Sequence, residues 1–465
     1  MLTIIVAAFL TYTAELATNS FQTKNALYMR IIKEPEDKMN YPTSGSRLGM
    51  FFFRYRHFIL IACTLSFILP EISVYFSRPA RGGDMHTYVK AGLNFIAKED
   101  LYRESRPSHG NTWPPFFSLF IVPLSITAHH LSMPAAKETW YFFTFFCFIA
   151  TVVLWSKLLL KTRVRFLSLK GDPDFTSRYV FIPILTILPA LVNNFFNLQI
   201  NTVILFILSL GLYYHRENRP GVSGILFGLA ASIKAYPGLF LIYFLFRKQW
   251  KLSIFIIIAG IFFTISPVFF YGFEGFYDLF RKWFSMSFSS EFGVGCGKYT
   301  NQSLYALWTY YLSCLSGLFP LAHPAIKKIT YISIIILISA VFTLLCRKPF
   351  NKRAESSLIE FSIVCLLMTL FSPIAWRHYW VNAFPAAMIT IFHWNKSGMV
   401  FRFFTVAWIA LLSLSYVTSG HIQKTILSLG AYTWTAVFLI CSMLILYVMD
   451  QSVIAQDNAK EQGVQ

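Results

Sequence analysis

The chain has 465 residues and a formal net charge of +19; 56% of its residues are hydrophobic and 13% are charged. Soluble domains carry about 25% charged residues, so this composition excludes an ordinary soluble protein and indicates an integral membrane protein. The apolar segments have helix length, roughly 17–25 residues, rather than the short alternating pattern of a barrel. We therefore predict an all-α polytopic bundle. We attribute the positive charge to basic cytoplasmic loops and not to nucleic-acid binding.

The first residues are predicted to lie outside the bundle. MLTIIVAAFL is too short to span a membrane and lacks the basic flank of a signal peptide. Because residues 20–50 are polar, we predict that 1–56 form a cytoplasmic N-terminal extension. Residues 57–450 form the predicted transmembrane domain, and 451–465 form a cytoplasmic tail.

Basic residues indicate the orientation of the predicted helices. Arg54 and Arg56 precede the first apolar segment, from Phe58 to Tyr75, and place its start in the cytoplasm. The first outer loop then covers 77–112. The later basic loops are predicted to be cytoplasmic: 161–178, 215–220, 247–251, 347–353 and 393–398. The segments between them are predicted to lie outside: 193–199, 235–238, 272–328 and 376–380.

Residues 113–130 do not fit this alternation as a simple span. They are apolar enough to cross, but a full crossing would place the basic loop 161–178 outside. Pro114, Pro115 and Pro123 favour a broken or re-entrant element at the outer surface instead. With that element the sequence predicts roughly 11 to 13 spans and no separate soluble domain.

One acid follows a Gly-Gly pair in the first outer loop. Asp84 and Tyr88 are four positions apart, so they share a face if residues 84–96 are helical. Asp84 is then either the N-cap of that helix, the partner of the nearby Arg81, or a reactive carboxylate.

Amides and a lysine follow at other predicted outer ends. NLQIN places Gln199 and Asn201 at the mouth of a helix, where amides bind sugar hydroxyls or, more commonly, link helices. Lys234 ends the apolar run GILFGLAASIK. A lysine in that position usually extends to the interface, whereas a lysine that points inward suits a phosphate.

Two further polar clusters lie on the same predicted side. In KYTNQSLYALW, Asn301 and Gln302 precede a helix, either as an anion site or as an ordinary polar cap. In SPIAWRHYW, Trp376 fits an interfacial aromatic belt, but Arg377 and His378 between the aromatics suit a phosphate. A carboxylate, cations, amides and aromatic rings on one face fit a phosphorylated sugar.

The order of these motifs resembles the polyprenol-phosphate-mannose-dependent mannosyltransferases of glycosyltransferase family 87, in the GT-C superfamily. The resemblance covers roughly residues 55 to 395. The motifs, in order, are D-x-x-x-Y, L-Y, W-P-P, Q-x-N, K-x-Y-P, N-Q-S-L and S-P-x-x-W-x-H-Y. The resemblance implies a catalytic transmembrane domain of GT-C type with an extracytoplasmic active site. The Phe- and Ile-rich composition and short loops are typical of a bacterial protein, which would place the enzyme in the plasma (inner) membrane.

The resemblance also implies roles for individual residues. The family's first-loop aspartate corresponds to Asp84 and its late histidine to His378, and its Q-x-N and K-x-Y-P motifs supply Gln199, Asn201 and Lys234. The chain departs from the family at Leu198, where glycine is frequent, and at Trp113, where tyrosine is frequent.

We therefore expect a transfer of a sugar, mannose by resemblance, from a polyprenyl-phosphate-sugar donor to a glycolipid or glycan acceptor. Asp84 acts as the general base of an inverting reaction, and His378 assists catalysis. Donor phosphate binding is assigned to Lys234, Arg377, Arg281 and Lys282. Sugar or acceptor binding is assigned to Tyr88, Gln199, Asn201, Asn301, Gln302 and Trp376.

The resemblance implies that no metal or other cofactor is required, and neither a D-x-D motif nor a ligand-like spacing of histidine and cysteine stands out in the sequence. The alternatives are a flippase or transporter for a lipid-linked sugar, and a sugar-lipid polymerase or ligase. A transporter would place its charges at mid-membrane and show two related halves, and neither feature is evident in the sequence.

Overall fold

The computed structural model describes residues 83–103, 105, 110–160, 173–287, 299–315, 323–347, 350–352, 354–394, 397–417 and 420–462. All regular structure in these residues is helical, which confirms the predicted all-α class. The α-helices are α1 (Met85–Ile96), α2 (Pro115–Phe120), α3 (Val122–His130), α4 (Met133–Trp155), α5 (Pro173–Thr186), α6 (Leu188–Phe196), α7 (Asn201–Arg216), α8 (Pro220–Ile233), α9 (Leu239–Phe246), α10 (Trp250–Ile265), α11 (Val268–Ser287), α12 (Leu304–Leu315), α13 (His323–Cys346), α14 (Ser356–Leu370), α15 (Phe384–Phe392), α16 (Met399–Val417), α17 (Gly420–Ser428) and α18 (Ala431–Gln462). Short 3₁₀ segments at Tyr236–Gly238 and Arg377–Ala383 and a π-helical turn at Ser156–Leu160 complete the set.

Several predictions lie outside the described residues. These are the N-terminal extension 1–56, the first apolar segment 58–75, Arg81 and most of the basic loop 161–178.

Long apolar helices confirm a polytopic membrane protein. Three described stretches are long and apolar enough to cross a membrane: Met133–Leu160, Lys328–Cys346 and Ala431–Met449. Two bent pairs, α5 with α6 and α10 with α11, raise that number to five if each pair is one span. Four shorter apolar helices accompany them, and the total of roughly 11 to 13 spans stays a prediction.

The predicted broken element at 113–130 consists of two short helices. α2 has six residues and α3 has nine, so neither can span a bilayer. Pro115 lies in the first turn of α2 and Pro123 in the first turn of α3, where a missing N–H costs no helical hydrogen bond. α3 packs between α1 and α4, so it connects the first outer helix to the bundle.

The centre of the bundle is α14, in which every residue from Ser356 to Leu370 is buried. α15, α18 and the 3₁₀ segment Arg377–Ala383 pack around it. Beside this group α8 packs closely on α10, because a Cβ at Gly224 would lie 2.3 Å from the Cβ of Phe255. The packing brings the ends of α6, α7 and α8 together with the 3₁₀ segment.

A buried ion pair fixes the other end of the same helices. Arg247, at the end of α9, pairs with Glu360 in the first turns of α14, and the two side chains are each 2% exposed. Tyr243 donates its hydroxyl to Glu360 Oε2 at 2.5 Å, and Arg247 Nη2 donates to the hydroxyl of Tyr447 at 3.0 Å. This cluster links α9, α14 and α18 near a loop that the sequence predicts to be cytoplasmic.

Candidate active site

Asp84 immediately precedes α1, but its carboxylate does not cap that helix. The Tyr88 amide donates to the main-chain oxygen of Asp84 at 2.9 Å, and the Asp84 side chain makes no capping hydrogen bond. Its Oδ2 accepts a hydrogen bond from Gln199 Nε2 at 2.9 Å, across 115 positions of sequence. The N-cap interpretation is therefore wrong, and the half-buried carboxylate faces the chain segment between α6 and α7.

An unusual backbone brings Gln199 to Asp84. Leu198 has a φ of 49°, in the left-handed region, and its carbonyl accepts the indole N–H of Trp140 at 2.8 Å. Gly83 also has a φ of 49°, and a Cβ there would lie 2.4 Å from the main-chain oxygen of Asn197. A side chain at residue 83 would push the two segments apart, so glycine is required for this close approach.

Lys234 ends α8 and points inward. It is 8% exposed, and its Nζ donates to Asn201 Oδ1 at 3.1 Å. The same ammonium lies 3.8 Å from the centroid of the Tyr379 ring, which stabilises it by a cation–π contact. The interpretation in which Lys234 extends to the interface is therefore wrong. Asn201, for its part, makes the interhelical hydrogen bonds that amides commonly make.

Asp84 and Lys234 influence each other electrostatically. Burial raises the pKa of Asp84 above its ordinary value of 3.8, while the hydrogen bond from Gln199 and the charge of Lys234 lower it again. Burial lowers the pKa of Lys234 to about 7, and the charge of Asp84 opposes that shift. The result is a carboxylate that is more basic than a free aspartate and lies beside a cation.

His378 lies in the 3₁₀ segment between α14 and α15. It is 2% exposed, and its Nδ1 lies 3.2 Å from Asn193 Oδ1 at the end of α6. Burial and then the charge of Lys234 lower the pKa of His378 well below its ordinary 6.5, so the ring is neutral at pH 7. The adjacent Arg377 is half-buried, and Trp376 packs edge-on against the imidazole at 5.5 Å.

Tyr88 lies beneath Asp84 on the buried face of α1. Its ring is fully buried and contacts the rings of Trp113 at 4.8 Å and Phe117 at 5.0 Å. Asp84 and Tyr88 therefore occupy neighbouring turns of one face, as the four-residue spacing predicts. Tyr88 forms the floor behind the carboxylate.

Asn301 and Gln302 are buried and bonded to the main chain. Asn301 Oδ1 accepts the Ala375 amide at 2.9 Å, and Gln302 Nε2 donates to the carbonyl of Leu427 at 2.7 Å. The main-chain N–H of Gln302 donates to the Ala375 carbonyl at 2.7 Å. These bonds position the segment that leads into His378, and a direct role in sugar binding stays a prediction.

The remaining two predicted cations lie on α11. Lys282 Nζ donates to Asp100 Oδ2 at 2.6 Å, in an exposed ion pair beyond the end of α1. Arg281 is exposed to solvent on the same helix. Among the contacts of the described residues, neither cation touches Asp84, Lys234 or His378. Their role in binding phosphate stays a prediction.

The sequence of this chain matches known proteins over a region that includes Gln199, Asn201 and Lys234. Residues 111–373 match the sequence profile of glycosyltransferase family 87, which is more than half of the chain. The chain belongs to glycosyltransferase family 87. The resemblance predicted from the motif order is thereby confirmed.

A curated relative comes from Mycobacterium tuberculosis. It is named polyprenol-phosphate-mannose-dependent alpha-(1-2)-phosphatidylinositol mannoside mannosyltransferase, and it is 22% identical over 366 residues. The alignment covers 72% of this chain and 71% of the relative. No solved structure matches the chain.

The structure adds polar residues to the site of this family 87 enzyme to which the sequence assigned no role. Asn193 contacts His378, and Asn194 Nδ2 donates to the Gln199 carbonyl at 3.3 Å. The Tyr236 hydroxyl lies 3.4 Å from both Asn201 Oδ1 and Asn382 Nδ2. The signal for the asparagines was present, because NNFFNLQ places three of them within an otherwise apolar run.

The site therefore combines the half-buried Asp84 carboxylate with buried amides, a lysine and aromatic rings. In the part of the chain that the structure describes, no three His, Cys, Asp or Glu side chains come together as ligands for a metal ion. A partly accessible carboxylate can accept a proton, and cations and N–H donors nearby can stabilise a phosphate. A glycosyltransferase that works by direct displacement needs both a proton acceptor and groups that stabilise the departing phosphate.

Proposed function

We propose that this glycosyltransferase transfers a mannosyl group from a polyprenyl-phosphate donor to a hydroxyl of a glycolipid or glycan acceptor, with inversion. The observation that carries the proposal is the position of Asp84. Its carboxylate is half-buried at the start of α1, accepts a hydrogen bond from Gln199 and lies within the electrostatic reach of Lys234. The name of the mycobacterial relative supports mannose and the polyprenol-phosphate donor.

Asp84 acts as the general base. A sugar phosphate already has a good leaving group, so the acceptor hydroxyl is the partner that needs activation. A carboxylate within about 3 Å of that hydroxyl accepts its proton as the new glycosidic bond forms, which accelerates transfer by roughly 10²–10⁴-fold. Burial makes Asp84 more basic, while Gln199 and Lys234 favour its ionised form. One base is sufficient for inversion, since the lipid phosphate leaves from the opposite face of the sugar.

Donors near His378 stabilise the departing phosphate. Arg377 is the more accessible cation, and Lys234 is fixed in place by Asn201 and Tyr379. His378 is neutral, so it contributes a hydrogen-bond donor rather than a charge. Fixed donors of this kind lower the barrier because they need no reorganisation as charge develops on the phosphate.

The distribution of basic loops supports an extracytoplasmic site. α7 begins at Asn201, beside the cluster, and ends at Arg216 in the basic loop 215–220. α9 likewise leads from the vicinity of Lys234 to Arg247 in the basic loop 247–251. Basic loops are retained in the cytoplasm, so the opposite helix ends, with Asp84, face outward.

The test uses the full-length enzyme in proteoliposomes with a labelled polyprenyl-phosphate-mannose donor and a mannoside glycolipid acceptor. Asp84→Asn is nearly isosteric, and we expect it to lower the transfer rate by roughly 10²–10⁴-fold. Glu138→Gln removes an exposed carboxylate near the N-terminal end of α4. It serves as the matched control, for which we expect normal activity. Transfer by Asp84→Asn at the wild-type rate would refute the assignment of the base. Movement of the donor between leaflets without release of polyprenyl phosphate would favour the flippase alternative.

A further inference from the structure

The chain changes direction sharply between α10 and α11. α10 presents bulky apolar side chains outward, among them Ile258 at 57% and Phe262 at 60% exposure, as a lipid-facing helix does. The axis of α11 is bent by 88° from that of α10. Gly272 has a φ of 68°, which interrupts the first turn of α11 and which only glycine adopts without strain.

α11 carries three distinct faces. Its large aromatic side chains recur at helical spacing on one face, with Phe273 at 75%, Tyr277 at 57% and Phe284 at 49% exposure. A second face contains the charged residues Glu274, Asp278, Arg281 and Lys282. The third face packs Leu279 against Phe95, Leu101 and Tyr102 of α1 and its following loop.

This composition excludes a position across the bilayer. Each charged residue at the centre of a membrane costs roughly 2.5–3.5 kcal/mol on insertion scales, and α11 carries four such residues. An exposed aromatic face beside a charged face is typical of a helix that lies in the interface, with its rings among the lipid headgroups. The aromatic face also continues the lipid-facing surface of α10 through Phe269, which is 82% exposed.

Two side chains of α11, Tyr271 and Lys282, make polar contacts with the end of α1 and the residues that follow it. The Tyr271 hydroxyl lies 3.3 Å from the Asn94 carbonyl. The Tyr271 hydroxyl donates to the Glu99 carbonyl at 2.9 Å, and Lys282 pairs with Asp100 at 2.6 Å. Asp84 lies at the other end of α1, so α11 and the carboxylate belong to one contiguous unit.

We propose that α11 is an interfacial helix whose aromatic face lies in the headgroup layer of the outer leaflet, and that its bonds to Glu99 and Asp100 hold α1 at a fixed depth. The aromatic face of α11 therefore binds a phospholipid surface. The consequence for catalysis rests on the proposed function of Asp84, because a fixed depth matters only if a lipid-linked donor must reach that carboxylate. The placement of the helix itself does not depend on it.

Photolabelling tests the placement without any measurement of activity. The wild-type enzyme is reconstituted with a phospholipid that carries a diazirine either at the headgroup or at the end of an acyl chain, and labelled peptides are mapped by mass spectrometry. We expect the headgroup probe to label the segment 269–284 and the chain-end probe to label α10 around Ile258. If neither probe labels 269–284, or if the chain-end probe labels it as strongly as the headgroup probe, the placement is wrong.

A variant pair tests the connection to α1. Tyr271→Phe combined with Lys282→Met removes the polar contacts of both side chains and retains the ring and the side-chain length. We expect headgroup labelling to persist and transfer in proteoliposomes to fall roughly fivefold. Asp278→Asn, on the charged face of the same helix, is the matched control with normal transfer. Wild-type transfer by the double variant would refute the connection, whereas wild-type transfer by Asp84→Asn would refute the proposed base.

Discussion

Replacing Leu198 with glycine and with alanine tests the backbone that brings Gln199 to Asp84. Leu198 has a φ of 49° but is 6% exposed, so the site combines a strained backbone with a well-packed side chain. Glycine adopts this left-handed conformation without strain, whereas leucine does not.

Leu198→Gly has two opposing effects on the free energy of unfolding. Removing a buried leucine side chain costs about 2–5 kcal/mol, whereas relieving a left-handed non-glycine residue recovers about 1–2 kcal/mol. Both variants should therefore be less stable than the wild type. The informative quantity is the difference in free energy of unfolding between the two variants, because both lose the same packing beyond Cβ. Alanine keeps the strained φ and glycine does not, so we expect Leu198→Gly to be more stable than Leu198→Ala by about 1 kcal/mol.

The assay is unfolding of the purified enzyme by SDS in mixed micelles, followed by circular dichroism. Leu208 is the matched control, since it is buried at 0% exposure inside the regular helix α7. There the order should reverse, with alanine more stable than glycine by about 1 kcal/mol. The reasoning fails if alanine is also the more stable residue at position 198.

Three further predictions concern the site and the opposite end of the bundle. Gln199→Leu removes the donor that favours ionised Asp84, so the pKa of Asp84 rises and the acidic limb of the pH–rate profile should move to higher pH; an unchanged limb would contradict this. Because the folded-state pKa of Asp84 is raised, its contribution to stability is present below the unfolded-state pKa and is lost as the pH rises through the folded-state pKa. Asp84→Asn should therefore unfold at pH 7 at no lower temperature than the wild type in a thermal melt, and a clear decrease would count against a raised pKa. Glu360→Gln leaves Arg247 buried without its counter-ion and should destabilise the enzyme by about 3–5 kcal/mol in SDS unfolding, whereas the double change Arg247→Met with Glu360→Met should recover most of that loss.

Local rules account for much of the fold. Asp84 and Tyr88 were predicted to share a face if residues 84–96 are helical, and the structure shows that helix as α1, from Met85 to Ile96. The three prolines of 113–130 predicted an interrupted element, and the chain forms two short helices there. Both features depend on residues within one or two turns of each other, so the sequence contains the necessary information.

The contacts of the site depend on distant residues and were predicted less well. The sequence left Asp84 open between a helix cap and a reactive acid, and the hydrogen bond from Gln199 excluded the cap. Lys234 had the pattern of a lysine that extends to the interface, but it bonds to Asn201 inside the bundle. Neither outcome follows from local sequence, since each partner comes from another helix.

By itself, the sequence determined the membrane class, the helical period and the motif order that assigns the chain to its family. These properties follow from side-chain hydrophobicity and spacing, which act over a few residues at a time. The tertiary structure alone decided which polar groups meet, because Gln199 reaches Asp84 through a left-handed backbone at Leu198 and a glycine at position 83. Burial of a polar group is tolerated where a partner lies within hydrogen-bond distance, and only the packing of the helices brings such partners together.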